Sequence, residues 1–377
     1  MAIIGATIQI STGNLDCQAL YYSVSKQTMT SFTTLTTDMM ETTLVLDTLM
    51  SSDEVSMDTD EGTLIVTYPR YIQIIACTVG IPIIIVGAVG NLLTILAVAK
   101  SKRLCANTMN LYIVSLCISD ILYCSTILPV LLTVYTHNAW ILGQTYCKIY
   151  ATLLFTFVGA TLMCLAAIAL SRYFKIRHTV IYNRLFTKYL FISGLIVIAW
   201  ILPILFLFPA IIGVWGGIGY EPRTLTCTFL REHSSYNRFF MVSALIFPTT
   251  FIVTFYLRIF CIVQASNRRI NNHNIQLPAP SNVTQTEGQQ RKRYIRDDLS
   301  FTRMMIAIFL IFIICYFPYM LTNLIDPEVK ILDLHFFAGM CCWFSSCLNP
   351  LLYVFMNKHF RRAFANLPFW RNESTNT

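Results

Sequence analysis

Seven apolar runs, each long enough to cross a lipid bilayer, constrain this chain more than any other feature. They lie at Ile72–Ala99, Asn107–Tyr135, Tyr146–Ile176, Lys188–Phe208, Phe239–Gln264, Phe301–Leu324 and Leu332–Met356. A hydrocarbon core about 30 Å thick needs about 20 helical residues to cross it. Lipid offers backbone N–H and C=O groups no partner, so runs of this length are expected to be helices. The reading is an all-α membrane protein: a seven-transmembrane helix bundle over residues 71–356. The 55 % hydrophobic content agrees with one membrane domain using most of the 377 residues.

An odd number of spans puts the two ends of the bundle on opposite sides. Of the 27 Lys and Arg residues, 20 fall in one set of loops and the C-terminal segment, and seven elsewhere. Basic loops stay cytoplasmic, so the N-terminus is expected outside and the C-terminus inside, in a multi-pass plasma-membrane protein. The net charge of +8 comes mostly from those inner loops, so no nucleic-acid partner is implied. Membrane lipid is the partner the basic stretches imply. Arg291-Lys292-Arg293 in particular reads as a contact with anionic lipid or protein.

The flanks differ from the bundle. Residues 1–70 form an acidic, Thr- and Ser-rich stretch, with nine acids against Lys26 alone across Met1–Pro69. It is expected to be extracellular and disordered. No charged and then apolar leader opens it, so the first span is expected to direct its own insertion. The third inner loop, about 265–298, contains Pro278, Pro280 and Gln-rich stretches and is expected to be flexible. Residues 357–377 hold an amphipathic eighth helix and the cytoplasmic tail. Phe360 and Phe364 sit one turn apart among Lys358, Arg361 and Arg362, the pattern of a helix lying on the inner leaflet. The glycosylation sequons at Asn282 and Asn372 are on the cytoplasmic side and are discounted.

Most of the 13 cysteines lie within spans, where they are small packing residues; Cys341 and Cys342 are of that kind. Cys147 and Cys227 fall at the oxidising outer face and are the disulfide candidates. Cys17 is left over, either free or paired with another chain. No Cys or His spacing suggests a metal site, and no P-loop, nucleophile elbow or HExxH appears, so neither an enzyme nor a cofactor is expected. A transporter would need charges on several helices at mid-membrane depth; Asp120 is the one acid placed there. Asn91, Ser345, Ser346 and Asn349 share its apparent depth. Two readings stand: polar glue between helices, or a sodium-binding aqueous cavity.

Specific residues on every span resemble the rhodopsin-like G protein-coupled receptors. They are Gly90-Asn91, Leu116 to Asp120 as LxxxD, Cys147, Leu170-Ser171-Arg172-Tyr173, Trp200 with Pro203 and Pro209, Pro248 with Tyr256, Cys315-Tyr316-Phe317-Pro318, and Asn349-Pro350-Leu351-Leu352-Tyr353. The resemblance implies a receptor that passes an extracellular signal to a heterotrimeric G protein, whose Gα C-terminal helix enters an inner cavity, with arrestin as a further partner. Arg172, Tyr173, Tyr256, Tyr316, Pro318, Asn349, Pro350 and Tyr353 would form the switch. Pro318 and Pro350 remove helix hydrogen bonds and permit bends. Two residues depart from the pattern. Ser171 replaces the usual acid beside Arg172, and Tyr316 replaces the usual tryptophan, so the resting state is expected to lie closer to active. A scavenging receptor that does not couple is the rival reading.

The outer cavity is expected to be lined by Leu154, Phe155, Val158, Phe229, Phe240, Tyr319, Asn323, His335 and Trp343, with Lys148, Arg231 and Arg238 as basic handles. Leu154 stands where amine receptors carry an aspartate, and Trp343 where opsins carry the retinal lysine, so both ligand classes are disfavoured. The loop from Trp215 to Phe229 resembles that of the melatonin and Moody-like orphan receptors. Ala244, Arg231 and Asn349-Pro350 depart from melatonin receptors, which makes the Moody-like group the closer one. The unidentified ligand is then expected to be lipid-like, small and amphipathic, or a peptide.

The charge asymmetry predicts that a C-terminal epitope tag is stained only after cells are permeabilised, while an N-terminal tag is stained on intact cells. Staining of the C-terminal tag on intact cells would overturn the topology.

Overall fold

The computed structural model describes residues 57–60, 63–66, 68–230, 234–274, 282–326 and 329–367. Seven of its helices are long and apolar enough to cross a membrane. Helix α1 spans Arg70–Lys100, α2 Asn110–His137 and α3 Gly143–Arg177. Helix α4 follows at Tyr189–Ile211. Helix α5 is built from Ser234–Met241, a π turn at Val242–Ile246 and Phe247–Asn274. Helix α6 spans Asn282–Ile325 and α7 Leu332–Met356. A short α8 at Lys358–Ala365 completes the order.

The apolar faces are exposed over much of their length, with Leu205, Phe208, Phe260, Ile314 and Phe355 all more than half accessible. In water such surfaces would associate; around a bundle they are the lipid-facing side. Contact between the helices relies on small residues. A Cβ at Gly87 on α1 would come 2.5 Å from Cys124 Sγ on α2, and one at Gly159 on α3 would come 2.7 Å from Pro203 on α4. Glycine at these two positions lets the helices approach closely, as small residues do in membrane packing.

Helix α2 is interrupted by a π turn at Tyr123–Ile127, just before Pro129. Proline cannot donate to the preceding turn, and a widened turn accommodates the missing bond. Helices α4, α6 and α7 run through Pro203 and Pro209, Pro318, and Pro350 respectively.

On the Tyr68 side, Cys147 at the start of α3 is bonded to Cys227, with Cα atoms 5.4 Å apart across 80 residues of sequence. Cys227 lies on strand β4 (Thr226–Phe229), paired antiparallel with β3 (Ile218–Glu221). The bridge ties this hairpin to α3 and closes a long loop in the unfolded chain.

Two regular elements fall within stretches that composition marks as irregular. The acidic N-terminal segment contains a β-hairpin, β1 at Met57–Asp60 with β2 at Thr63–Val66, in register from Met57↔Val66 to Asp60↔Thr63. Thr59, Thr63, Ile65 and Val66 supply β-forming residues within an acidic stretch. Within the stretch 265–298, α5 continues to Asn274 and α6 starts at Asn282. Its Gln, Arg and Lys residues are good helix formers, which a reading for polarity overlooks. Cys17, Arg231, Pro278, Pro280 and Asn372 lie outside the described residues.

Candidate functional site

The polar residues at mid-span meet. Asp120 is buried, and its Oδ2 accepts a 2.8 Å hydrogen bond from Asn349 Nδ2, joining α2 to α7. The Ser346 hydroxyl also faces Asp120. Asn91 Nδ2 donates to the backbone oxygens of Gly87 and Ser346, both at 2.8 Å, joining α1 to α7. Ser345 is buried next to Ser346 in the chain. Asn91 Oδ1 is buried with no hydrogen-bond partner among the described residues. A buried amide oxygen in that state costs about 1–3 kcal/mol. A hard cation or a water would satisfy it, and the oxygen-rich set of Asp120, Ser346, Asn349 and Asn91 suits sodium.

Beneath this cluster, α3 ends at the basic face. Arg172 is only 1 % exposed although it is a cation. Its guanidinium lies 4.0 Å from the ring centroid of Phe301 on α6. A guanidinium over an aromatic face is worth about 2 kcal/mol when desolvated. The Ser171 hydroxyl donates to Ala167 O one turn back, at 2.7 Å. The loose restraint expected from Ser171 is therefore supplemented by Phe301, which the sequence reading did not name. An aromatic at the basic end of the sixth run was the available signal. Tyr256 is buried near Arg172. Tyr173 instead packs edge-on against Phe255 at 5.1 Å, and Tyr353 stacks on Phe360 of α8 at 5.4 Å.

At the other end, a cavity of about 170 Å³ opens between the helices. Leu154, Phe155, Val158, Phe240, Tyr319, His335 and Trp343 line it, as does Tyr316. Two expected residues do not. Phe229 packs behind the wall, stacked on Phe155 at 4.5 Å, and Asn323 Nδ2 donates to Tyr319 O on its own helix at 2.7 Å. Sequence reasoning missed Tyr68, Tyr123, Tyr135 and Tyr150, which also line the cavity. Tyr68, Tyr135 and Tyr150 lie near span ends, the aromatic-belt signal, here turned inward, whereas Tyr123 lies one turn past Asp120 at mid-span.

Tyr68 helps to roof the cavity. Its N–H donates to Asn138 Oδ1 at 3.0 Å, its hydroxyl donates to Arg223 O at 2.7 Å, and its ring meets Tyr135 edge-on. His335 is held by Asp326, with Nε2 lying 3.0 Å from the backbone oxygen and 3.4 Å from Oδ2. Asp326 also accepts from the N–H groups of Lys330 and Ile331 at 3.0 and 2.9 Å. Those two N–H bonds, more than the nearby His335, hold its carboxyl below the usual carboxylate range.

Comparison with known proteins agrees with this architecture. Residues 90–353 match the family model described as 7 transmembrane receptor (rhodopsin family). The chain is 32 % identical to Protein trapped in endoderm-1 of Drosophila melanogaster over 316 residues, 80 % of each chain. It is 28 % identical to G-protein coupled receptor moody of Drosophila pseudoobscura pseudoobscura over 347 residues, 76 % of this chain and about half (51 %) of that one. Its fold matches squid rhodopsin with a TM-score of 0.68 at 21 % identity, covering 81 % of this chain and 87 % of the other. Seven membrane-length helices, a buried polar centre and a matched family model together place the chain in the rhodopsin family of seven-transmembrane receptors.

Proposed function

We propose that the chain converts occupancy of its outer cavity by an extracellular ligand into nucleotide exchange on a heterotrimeric G protein. The N-terminus faces outside, and the Gα C-terminal helix enters at Arg172. The observation that carries this reading is the position of α6. Its Tyr316 lines the cavity, Tyr316 stacks on Phe312 at 4.4 Å, and Phe301 on the same helix covers Arg172. One rigid element thus touches both the ligand space and the buried arginine. A ligand that displaces Tyr316 biases α6, and an outward swing at Pro318 exposes the guanidinium.

The cavity also limits the ligand. Aromatic and aliphatic side chains dominate its lining, and among the described lining residues His335 is the one with an ionisable base and none is a carboxylate. A cationic amine finds no carboxylate there. The class that fits is small and uncharged, lipid-like or aromatic, hydrogen-bonding to tyrosine hydroxyls. Lys148 is exposed and lies outside this lining. Arrestin is a further partner of the same opened face.

Two outcomes test this reading. Membranes containing the chain are expected to load GTPγS onto Gα above control membranes, and Arg172→Ala at matched surface expression is expected to remove the excess. Unchanged loading in Arg172→Ala would reject the coupling role, and no loading under any ligand would favour the scavenging alternative. Sodium is expected to weaken agonist affinity in wild type and to have no such effect in Asp120→Asn. A wild-type receptor indifferent to sodium would leave Asp120 as polar glue between α2 and α7.

A further inference from the structure

The outer cavity is deep for its volume. Its lining on α3 runs from Tyr150 to Leu162, roughly 18 Å along the axis at 1.5 Å per residue. Spread over that depth, a volume of about 170 Å³ makes a shaft that suits an extended chain better than a broad ring system. Leu154, Val158 and Leu162 on α3 and Leu245 on α5 give it apolar walls. No Lys, Arg, Asp or Glu is among its described lining residues.

Within this apolar shaft, Tyr150 carries a hydroxyl that the described residues do not satisfy. The residue is 2 % exposed and lines the cavity, yet its hydroxyl is buried with no hydrogen-bond partner. The ring is held from behind, where Trp140 packs edge-on against it at 5.5 Å. One turn earlier on α3, Cys147 is bridged to Cys227 of β4. Thr226, next to Cys227, also lines the cavity and presents its hydroxyl toward Tyr150. The disulfide thus sets a hydroxyl from α3 beside one from β4. A buried hydroxyl left without a partner is destabilising, so a ligand atom that accepts from it relieves that cost. Two neighbouring hydroxyl donors match one acceptor with two lone pairs, such as a carbonyl oxygen.

We propose that the cavity takes an uncharged single-chain acyl lipid, an ester or amide, whose carbonyl oxygen accepts from Tyr150 and whose chain runs inward past Val158 to Leu162. The proposal rests on the reading of this cavity as the ligand site and narrows the ligand to one class. A fatty-acid anion is a poorer fit, because the described lining holds no Lys or Arg to offset the burial of its charge. On α7, Gly339 lines the same space, and no atom lies within 4 Å of where its Cβ would stand. A larger side chain there fills room that the ligand occupies.

The experiment is photo-capture by the full chain in nanodiscs. The probe is a monoacylglycerol with a diazirine and an alkyne in its chain. It is competed by the unlabelled ester and by the matching alkyl ether, which keeps the head and chain but lacks the carbonyl. A hydrogen bond to a buried hydroxyl is worth about two- to tenfold in affinity. In wild type the ester is expected to compete better than the ether by about that factor, with the label on α3 between Leu154 and Leu162. Tyr150→Phe removes only the hydroxyl and is expected to abolish the advantage of the ester. Gly339→Leu is expected to weaken capture at least about tenfold, by occupying the space itself. The ester and ether are compared within wild type, so a variant that folds poorly leaves the test intact. Equal competition by ester and ether in wild type would overturn the proposal, as would an ester advantage that survives Tyr150→Phe or full capture in Gly339→Leu. So would unsaturable labelling confined to lipid-facing side chains such as Leu205 and Phe208. No G protein is present in this assay. Saturable capture without GTPγS loading would reject coupling and keep the ligand class, and loading without capture would do the reverse.

Discussion

The contact on which the rest of this structure depends is the one between Arg172 and Phe301. A buried guanidinium is costly in a low-dielectric interior, and the α6 ring lowers that cost only while α6 lies against α3. The packing of the basic end of the bundle is therefore also an electrostatic latch. The cavity at the other end touches the same helix at Tyr316, which stacks on Phe312. A two-state element touched by both sites is what a coupling free energy between them requires.

The frame around α6 is stitched by α2. Ser119 donates to Phe157 O on α3 at 2.8 Å, and Thr161 donates back to Ser119 at 3.1 Å. Trp200 Nε1 on α4 donates to Ser115 at 3.0 Å, and Asp120 receives Asn349 from α7. Interhelical hydrogen bonds of this kind are worth about 0.6–2 kcal/mol each within a membrane. They gather α2, α3, α4 and α7 into one unit. By contrast, α6 faces its neighbours mainly through apolar and aromatic side chains such as Phe309 and Phe312, which slide at less cost than hydrogen bonds break.

The fold was legible because its main determinant is one-dimensional. Length and apolarity place spans wherever lipid forbids exposed backbone, and the family motifs fixed their identity. Asp120, Asn91, Ser346 and Asn349 could be grouped from sequence because charge and amide at mid-membrane depth are expensive enough to find one another. The tyrosines around the cavity were harder to read. Tyr68 precedes the first span and reaches the cavity through bonds to Asn138 and Arg223, which no local periodicity encodes. Phe229 and Asn323 were misjudged because one rotamer or a back-bond to the helix removes a side chain from the cavity. Phe301 was missed because an aromatic at the end of an apolar run reads as an interface anchor until its partner is seen.

The most direct measurement of the latch is basal Gα nucleotide exchange in Phe301→Leu and Phe301→Trp, at matched surface expression and without ligand. Leucine keeps an apolar side chain but removes the ring face; tryptophan keeps the face. A contact of about 2 kcal/mol, with about 1.4 kcal/mol per tenfold change, predicts basal exchange up to roughly thirtyfold higher in Phe301→Leu. Phe301→Trp should remain close to wild type. Equal basal exchange in wild type and Phe301→Leu, with agonist response intact in both, would contradict the account.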